Sequence, residues 1–228
     1  RWSKNFFLVS LQVFNDSQIV VHSEWESVAH FIEATLHSFA AHAPADTLLV
    51  FKHHPMDRGY VSYQPQINRL VTLLGLEGRV FYGYELPLPT LYPLLKGVIT
   101  INSTVGLSAL LHHVPTFCMG RALYDLPGLT TRGSLEGFWH KQDPVCKKTF
   151  ERMRQSLLHL TQLNASFYRH LDMGAMAVVE KIQQHNVQAL SAQKSQRAAT
   201  PSGVVGALAI LSAFCLLTEE MLTPVTML

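Results

Sequence analysis

A short polar loop follows the first apolar run of the sequence and carries a carboxylate that could do chemistry. Residues 5–13 are mostly apolar, and Asp16 follows three residues later, between Asn15 and Ser17. An aspartate in such a position commonly forms an Asx turn or caps a helix. It can also serve as a catalytic carboxylate, either as a nucleophile or as a general base. The spacing alone leaves both interpretations of Asp16 open.

A second loop concentrates imidazole and cationic side chains directly after another apolar run. Lys52, His53 and His54 are followed by Pro55 and then by Arg58. Proline favours an extended conformation in the residue before it, and adjacent side chains of an extended segment point to opposite sides. The two histidines are therefore not expected to share a metal ion. A cationic cradle for phosphate or carboxylate fits these residue types better, although a solvated basic turn has the same composition.

A third loop places small polar residues between an apolar run and a helical segment. It contains Asn102, Ser103 and Thr104, with Gly106 close behind. The first amides of a helix lack partners and carry partial positive charge, so a phosphate there would meet amides and hydroxyls. Gly106 would permit a close approach, whereas ordinary capping by Ser103 or Thr104 is the alternative. The loop matches neither a P-loop nor a dinucleotide glycine fingerprint, which gives no support to an ATPase or a dehydrogenase.

Elements of alternating type must position these loops. Apolar runs predict strands at residues 5–13, 47–51, 79–82, 97–101 and 115–119. Residues 14–22 are predicted as loop, and a capping box of Ser23 and Glu26 predicts the start of a helix behind them. Helical spacing predicts further helices near residues 67–74, 87–95 and 104–113. Two more are predicted after residue 143, the first ending at about residue 164 and the second at about residue 188. This alternation predicts an α/β fold, a parallel sheet with helices on both faces. Ligands bind beyond the carboxyl ends of such strands, where the three loops would meet.

The composition predicts a folded chain and argues against nucleic-acid binding. The 228 residues are 48% hydrophobic and 15% charged, with a formal net charge of +2. This gives a substantial core without the basic stripe that a nucleic acid requires. The cysteines, Cys118, Cys146 and Cys215, are too widely spaced for a disulfide framework or a metal-ligand pair, which indicates a reducing compartment. No metal and no cofactor is predicted. The chain starts at Arg1 without a leader-like segment, and we expect a fragment that lacks an N-terminal part.

The end of the sequence changes character. Residues 1–190 are predicted as one α/β domain, with C-terminal helices from about residue 145, and residues 191–228 as a linker with a hydrophobic tail. Residues 201–203 read Pro-Ser-Gly, and residues 204–217 form an apolar stretch. A membrane span needs about 20 apolar residues, so a loosely packed or interfacial helix is the better interpretation of this stretch.

Taken together, the loops resemble a known family. The runs LQVFNDSQI, FKHHPMDRGY and INSTVGLSAL, at residues 11–19, 51–60 and 101–110, are similar to the capsule polysaccharide biosynthesis/export family, in its KpsS type of β-Kdo transferase. Further matches lie at residues 128–130, 138–139 and 161–168, so that the resemblance covers about residues 6–171. The resemblance implies a Rossmann-like half of a GT-B glycosyltransferase. It also implies transfer of Kdo from CMP-Kdo to a glycerophospholipid, which starts the capsule linker, with retention of configuration and without a metal.

The resemblance assigns roles to individual residues. Asp16 corresponds to the aspartate thought to take the sugar covalently. His54, with Lys52, would bind the donor phosphate or stabilise it as it leaves. The CMP part would be held by Asn102, Ser103, Thr104 and Gly106. His53 and Arg58 complete the predicted donor-binding set, and the chemistry agrees, because CMP-Kdo carries a phosphodiester and a carboxylate that call for cations and amide donors.

Two other functions remain open from the sequence. One is a non-enzymatic component of capsule polysaccharide export or assembly, in which binding occurs without turnover. The other is an epimerase of UDP-sugars with a GT-B-like architecture. The predicted partners are CMP-Kdo, a phospholipid acceptor and a capsule biosynthesis or export complex. The predicted location is cytoplasmic and peripheral to the inner membrane, on the basis of the acceptor.

Overall fold

The computed structural model describes residues 4–163 and 171–196 of the chain. The chain divides into two compact units, Arg1–Met153 and Arg154–Leu228. The first unit contains the whole sheet and the three loops predicted to carry chemistry. The domain predicted over residues 1–190 therefore spans the first unit and part of the second.

Five strands form one sheet, and every pairing between neighbouring strands is parallel. The strands are β1 (Phe6–Ser10), β2 (Leu48–Lys52), β3 (Val80–Gly83), β4 (Leu95–Thr100) and β5 (Thr116–Cys118). Their order is β3-β2-β1-β4-β5. This is the order of a doubly wound, Rossmann-like sheet. The predicted α/β class with a parallel sheet is confirmed.

The central strand β1 shows why its sequence is a continuous apolar run. Phe7 and Val9 point into one core, whereas Phe6 and Leu8 point into a second core on the opposite face of the sheet. All four side chains are at most 4% exposed. A parallel strand covered on both faces has no polar side, so its residues do not alternate in polarity. The two cores confirm that helices cover both faces.

The helices of the first unit divide between these two faces. The core around Phe7 is covered by α2 (Val28–His42), α3 (Gln64–Leu73) and α6 (Leu135–His140), and the core around Phe6 by α4 (Leu88–Leu91) and α5 (Thr104–Leu111). A 3-10 turn, Tyr92–Leu94, follows α4. In α6, the Phe138–Trp139 pair noted in the sequence is fully buried, and the Trp139 indole donates to Ser38 Oγ at 2.9 Å.

Two local predictions are wrong near the first loop. Residues 14–22 are not all loop, because Ser17–His22 form a short helix, α1. Ser23 does not begin the next helix; its hydroxyl donates to Ile19 O and accepts from Trp25 N, which closes the end of α1. The next helix, α2, begins after Ser27, whose Oγ accepts from His30 N at 3.1 Å. Both serines offer a capping oxygen. The Ser23 oxygen is bonded at the end of α1, whereas the Ser27 oxygen caps α2, whose first residue, Val28, packs into the core.

Two helices follow the sheet, α7 (Lys147–Leu160) and α8 (Leu171–Gln196). Helix α8 continues past residue 191 and so occupies the start of the segment that was predicted as linker. Alanine, glutamine and lysine in this stretch are good helix formers, which accounts for the difference. The Pro-Ser-Gly segment and the apolar stretch at residues 204–217 lie outside the described residues. Within the described residues, no helix is long and apolar enough to cross a membrane.

Candidate functional site

The three loops of interest lie side by side at the carboxyl edge of the sheet. They follow β1, β2 and β4, which are direct neighbours. The strand order reverses between β1 and β4, which creates a crevice between the loops that follow these two strands. The prediction that the topology brings these loops together is confirmed by direct contacts between them, such as that of Gln12 with Asn102.

Asp16 is half-buried at the start of α1, and both of its carboxylate oxygens have partners. Its Oδ1 accepts from Gln18 N at 2.9 Å, which is an N-cap bond of the helix. Its Oδ2 accepts from Gln12 Nε2 at 3.0 Å. The cap that the spacing suggested is therefore present. It also fixes the carboxylate in one orientation, which a nucleophile requires.

Gln12 and Asn102 join the first loop to the third across the crevice. Gln12 Nε2 donates to Asn102 Oδ1 at 2.9 Å, and Gln12 Oε1 accepts from the Asn102 backbone N–H at 3.1 Å. The Asn102 side chain in turn donates to the carbonyl oxygens of Gln18 and His22. Both ends of the Asn102 amide are thus engaged within the protein. The structure gives Asn102 a positioning role, and its predicted contact with the donor stays a prediction.

His54 caps the 3-10 turn Pro55–Asp57, and this bond fixes its tautomer. Its Nδ1 accepts from Met56 N at 3.2 Å, so in the neutral ring the proton is carried by Nε2. Burial lowers the pKa of His54, while Asp57 raises it, Lys52 lowers it and Asp16 raises it. The lowered pKa favours a neutral imidazole with an Nε2–H donor rather than a cation.

His53 points the opposite way from His54, as expected of an extended segment. Its side chain is fully buried, and its Nδ1 lies 2.5 Å from the hydroxyl of Tyr82. Its ring also lies 4.7 Å from that of Tyr84. Burial lowers the pKa of His53, partly opposed by the charge and the backbone of Asp57. A side chain sealed among aromatic rings does not face a donor, and this burial argues against the direct contact predicted for His53.

The two cations of the second loop differ in their surroundings. Lys52 ends β2 and is half-buried at the sheet edge. Arg58 is more exposed and forms an ion pair with Glu85, with 2.7 Å between the guanidinium nitrogen and the carboxylate oxygen. Exposed ion pairs contribute little to stability, so Arg58 can exchange Glu85 for an anionic ligand at low cost. Donor binding by Lys52 and Arg58 stays a prediction.

Ser103 and Thr104 lie at the start of α5, as the third loop suggested. Ser103 Oγ caps the helix by accepting from Val105 N at 3.2 Å, and Ser103 N donates to Thr100 Oγ1 at 3.1 Å. Thr104 is the first helical residue and is exposed. The next amide, Gly106 N, donates to Ser103 O at 3.0 Å, so two of the first amides of α5 are engaged within the protein. Contact of either residue with the donor remains a prediction.

Gly106 is explained by packing rather than by access for a ligand. A Cβ built on Gly106 would lie 2.2 Å from the hydroxyl oxygen of Tyr124. That hydroxyl donates a short hydrogen bond to the carbonyl oxygen of Ser103. Tyr124 therefore occupies the space that a side chain at position 106 would need, and contact of Gly106 with the donor stays a prediction. The bond to Ser103 ties the segment after β5 to the start of α5.

Within residues 4–163 and 171–196, no group of three or more His, Cys, Asp and Glu side chains is arranged to hold a metal ion. Cys118 is half-buried, and burial raises the pKa of its thiol to about 12.

The sequence profile described as capsule polysaccharide biosynthesis protein matches residues 2–168. The chain belongs to this family. The match covers all three loops and the whole sheet. The resemblance to a capsule polysaccharide family that the three loops indicated is thus confirmed.

Individual relatives are identical to this chain at nearly half of the aligned positions. The capsule polysaccharide modification protein LipB of Neisseria meningitidis serogroup A is 47% identical over 164 residues, which are 72% of this chain and 39% of LipB. The capsule polysaccharide export protein KpsS of Escherichia coli is 46% identical over 165 residues, or 72% of this chain and 42% of KpsS. The chain spans about two fifths of the length of these relatives. Among solved structures, Thermosulfurimonas dismutans KpsC, a beta Kdo 2,7 transferase, gives a TM-score of 0.43 at 23% identity, covering 60% of this chain and 45% of KpsC.

Several residues of this capsule family member shape the site without having been singled out by sequence reasoning. Gln12 orients Asp16, and Tyr124 fills the space at Gly106. Asp57 is 1% exposed and accepts from the backbone N–H of Phe14. A signal for Asp57 existed, since it is an acidic residue in an otherwise basic loop. Gln12 bonds to a residue 90 positions away in the sequence, and Tyr124 bonds to one 21 positions away. No local pattern reveals contacts between residues so far apart.

Proposed function

We propose that this chain provides the donor-binding half of a GT-B-type glycosyltransferase in capsule polysaccharide biosynthesis. The reaction is transfer of Kdo from CMP-Kdo to a glycerophospholipid acceptor, which starts the capsule linker. One observation carries the proposal: Gln12 Nε2 and Gln18 N hold the Asp16 carboxylate in one orientation at the carboxyl edge of the sheet, next to the loop that bears His54. Membership of the capsule polysaccharide biosynthesis family and the position of both residues at the switch point of the sheet support it.

Retention of configuration fits a double displacement through Asp16. In the first step an Asp16 oxygen forms a bond to the anomeric carbon, and the bond from that carbon to the phosphate oxygen breaks. CMP leaves with the electron pair, and a glycosyl ester of Asp16 remains. In the second step an acceptor hydroxyl loses its proton to a base and displaces the carboxylate. Two inversions give net retention.

The surroundings of Asp16 suit the departure of CMP. Negative charge develops on the phosphate as the bond to the sugar breaks. His54 offers its Nε2–H to that phosphate, while the partial positive charge at the start of α5 and the cation of Lys52 stabilise the developing charge. No metal is required for this stabilisation, in keeping with the metal-independent transfer implied by the resemblance.

The acceptor defines the proposed location. A glycerophospholipid resides in the bilayer, so the enzyme acts at the cytoplasmic face of the inner membrane as a peripheral protein, near other capsule biosynthesis and export components.

Substitution of Asp16 tests the proposal most directly. Asp16→Asn keeps an oxygen for the cap of α1 but lacks the nucleophile, so transfer of Kdo should fall by at least about 10³-fold. Binding of CMP, measured by a thermal-shift titration, should change by no more than about twofold, because Asp16 does not hold the nucleotide. Transfer is assayed in the natural gene product that contains these residues. The exposed neighbour Asn15, changed to Ala, serves as the matched control.

Transfer that persists in the Asp16→Asn protein would eliminate Asp16 as the nucleophile. A second function, a non-enzymatic role in capsule export, is favoured by the name of KpsS as an export protein. In that case a double Asp16→Asn, His54→Gln variant that remains folded should still support capsule export. A greater stabilisation by UDP than by CMP would instead favour an epimerase of UDP-sugars.

A further inference from the structure

We propose that Asp57 is a positioning residue that holds the loop bearing Asp16 in register with the turn bearing His54. The inference rests on the proposed function, because it assigns Asp16 and His54 to the reaction. Asp57 itself touches neither donor nor acceptor in this proposal. Its role is to fix the distance and the angle between two groups that act on the same bond.

The first part of the argument is the contact between Asp57 and the loop after β1. The Asp57 side chain is 1% exposed, and a buried carboxylate is costly unless hydrogen bonds compensate it. Phe14 N–H points between its two oxygens, at 3.1 Å from Oδ2 and 3.4 Å from Oδ1. The loop then turns tightly, since Asp16 N donates to Val13 O at 3.0 Å. Asp57 thus holds the backbone two residues before Asp16.

The second part is that Asp57 also belongs to the turn that His54 caps. Asp57 N donates to His54 O at 3.0 Å, so its backbone closes that turn. Its carbonyl oxygen accepts from Tyr60 N at 3.0 Å and from Val61 N at 3.1 Å, which fixes the peptide on its other side. The side chain therefore projects from a rigid turn. A single residue joins the two loops that carry the proposed nucleophile and the proposed hydrogen-bond donor.

The charge of Asp57 adds an electrostatic consequence to this geometry. His54 is acted on by four charged or titratable neighbours, of which Asp57 and Asp16 raise its pKa and Lys52 and His53 lower it. Asp57 has the largest effect of the four, although burial outweighs it. Loss of its negative charge should therefore lower the pKa of His54 further. A residue with a merely structural role would not shift the pKa of His54 in this way.

Two variants separate the bond from the charge. Asp57→Asn can still accept from Phe14 N–H through its amide oxygen but lacks the charge, whereas Asp57→Ala loses both. Hydrogen exchange of the Phe14 amide in this chain should accelerate more than about tenfold in Asp57→Ala and much less in Asp57→Asn. Asp46→Ala, which removes a carboxylate at an exposed position outside the site, is the matched control.

Kinetics in the natural gene product test the consequence for the reaction. In Asp57→Ala, kcat for Kdo transfer should fall by about 10- to 100-fold with a smaller change in KM for CMP-Kdo, because misplacement affects the reacting groups more than binding. In Asp57→Asn, kcat should fall less, and the pKa of His54, followed by the NMR signals of its imidazole, should be lower than in the parent protein. Thermal unfolding verifies that each variant is folded.

Unchanged exchange of the Phe14 amide in folded Asp57→Ala would overturn the proposal. Should Asp57→Ala fail to fold, the pKa of His54 in Asp57→Asn decides, and an unchanged pKa counts against the proposal. If the Phe14 amide exchanges faster in Asp57→Ala but the parent protein does not transfer Kdo, the proposed function is contradicted. The link between the two loops would still stand in that case.

Discussion

Gly106 has no side chain, and the ring of Tyr124 packs into the space that a side chain would need. The Tyr124 ring packs against the backbone of Gly106, and its hydroxyl binds the Ser103 carbonyl oxygen at the start of α5. Tyr124 is buried, which raises the pKa of its hydroxyl well above the usual value. A neutral phenol that donates one hydrogen bond is therefore the stable form. At the scale of the residue, the shape of the third loop depends on the pair of Gly106 and Tyr124.

Replacing Gly106 with Ala tests this packing. The added Cβ would meet the Tyr124 hydroxyl oxygen at 2.2 Å and its ring carbon at 2.7 Å. Overpacking of this kind should lower the free energy of unfolding by about 1–3 kcal/mol in urea denaturation. Gly137→Ala is the control, because its nearest neighbour, Ser134 Oγ, is 3.8 Å away. Equal stability of the two variants would contradict a tight contact at Gly106.

At the scale of the element, the six-residue helix α1 depends on side chains from elsewhere. An isolated helix of this length does not form in water, because nucleation costs more than so few bonds return. Asp16 caps its start, and Asn102 binds the carbonyl oxygens of Gln18 and His22 within the helix. The Arg121 guanidinium adds a bond to Val21 O at 2.8 Å. Helix α1 is thus fixed by the loop after β4 and by the segment after β5.

Substitution of Asn102 should release this helix. Asn102→Ala removes the side-chain bond from Gln12 Nε2 and the bonds to both carbonyl oxygens, although its backbone N–H can still donate to Gln12 Oε1. The amides of α1 should therefore exchange faster, and the free energy of unfolding should fall by about 1–3 kcal/mol. Hydrogen exchange and urea denaturation provide the two measurements. Asn68→Ala, at an exposed site with one side-chain bond to Gln64, is the control and should cost less than about 0.5 kcal/mol. Unchanged exchange in α1 would show that Asn102 does not hold it.

At the scale of the whole molecule, folding buries the imidazole of His53 beneath the candidate site. His53 is fully buried, and burial lowers its pKa below the ordinary value of 6.5. The unfolded chain therefore binds a proton more readily than the folded chain between the lowered pKa and about 6.5. In that window the free energy of unfolding decreases as the pH falls. Below the lowered pKa both states are protonated, and this contribution becomes constant.

The pH dependence of stability tests this burial. Urea denaturation at pH values between about 7.5 and 5 should show a decline in the free energy of unfolding below about pH 6.5, of up to about 1.4 kcal/mol per pH unit for each such histidine. His53→Gln cannot take up this proton, so its decline should be less steep. His37→Gln, at an exposed position on α2, controls for the substitution itself. A His53→Gln protein with the parental slope would show that His53 does not contribute.

Local pattern was enough for most elements and for the location of the site. The apolar runs predicted all five strands, and the inner strands β1 and β4 show the reason, because strands buried on both faces do not alternate in polarity. The adjacency of the three loops followed from the rule for parallel sheets. Local pattern failed at α1 and at the start of α2, where Asp16, Ser23 and Ser27 all offer capping oxygens. Competition among equivalent caps is decided by packing, which a short window of sequence does not contain.

The sequence by itself determined the fold class, the three loops at one edge and the family, since these depend on residue types and on local periodicity. Tertiary structure alone decided what each polar side chain does there. It turned Asn102 and Gln12 toward each other, buried His53, filled the space at Gly106 with Tyr124 and gave Asp57 its contact with Phe14. The physical reason is that hydrogen bonds and close packing depend on distances between residues remote in sequence, which only the folded chain brings together.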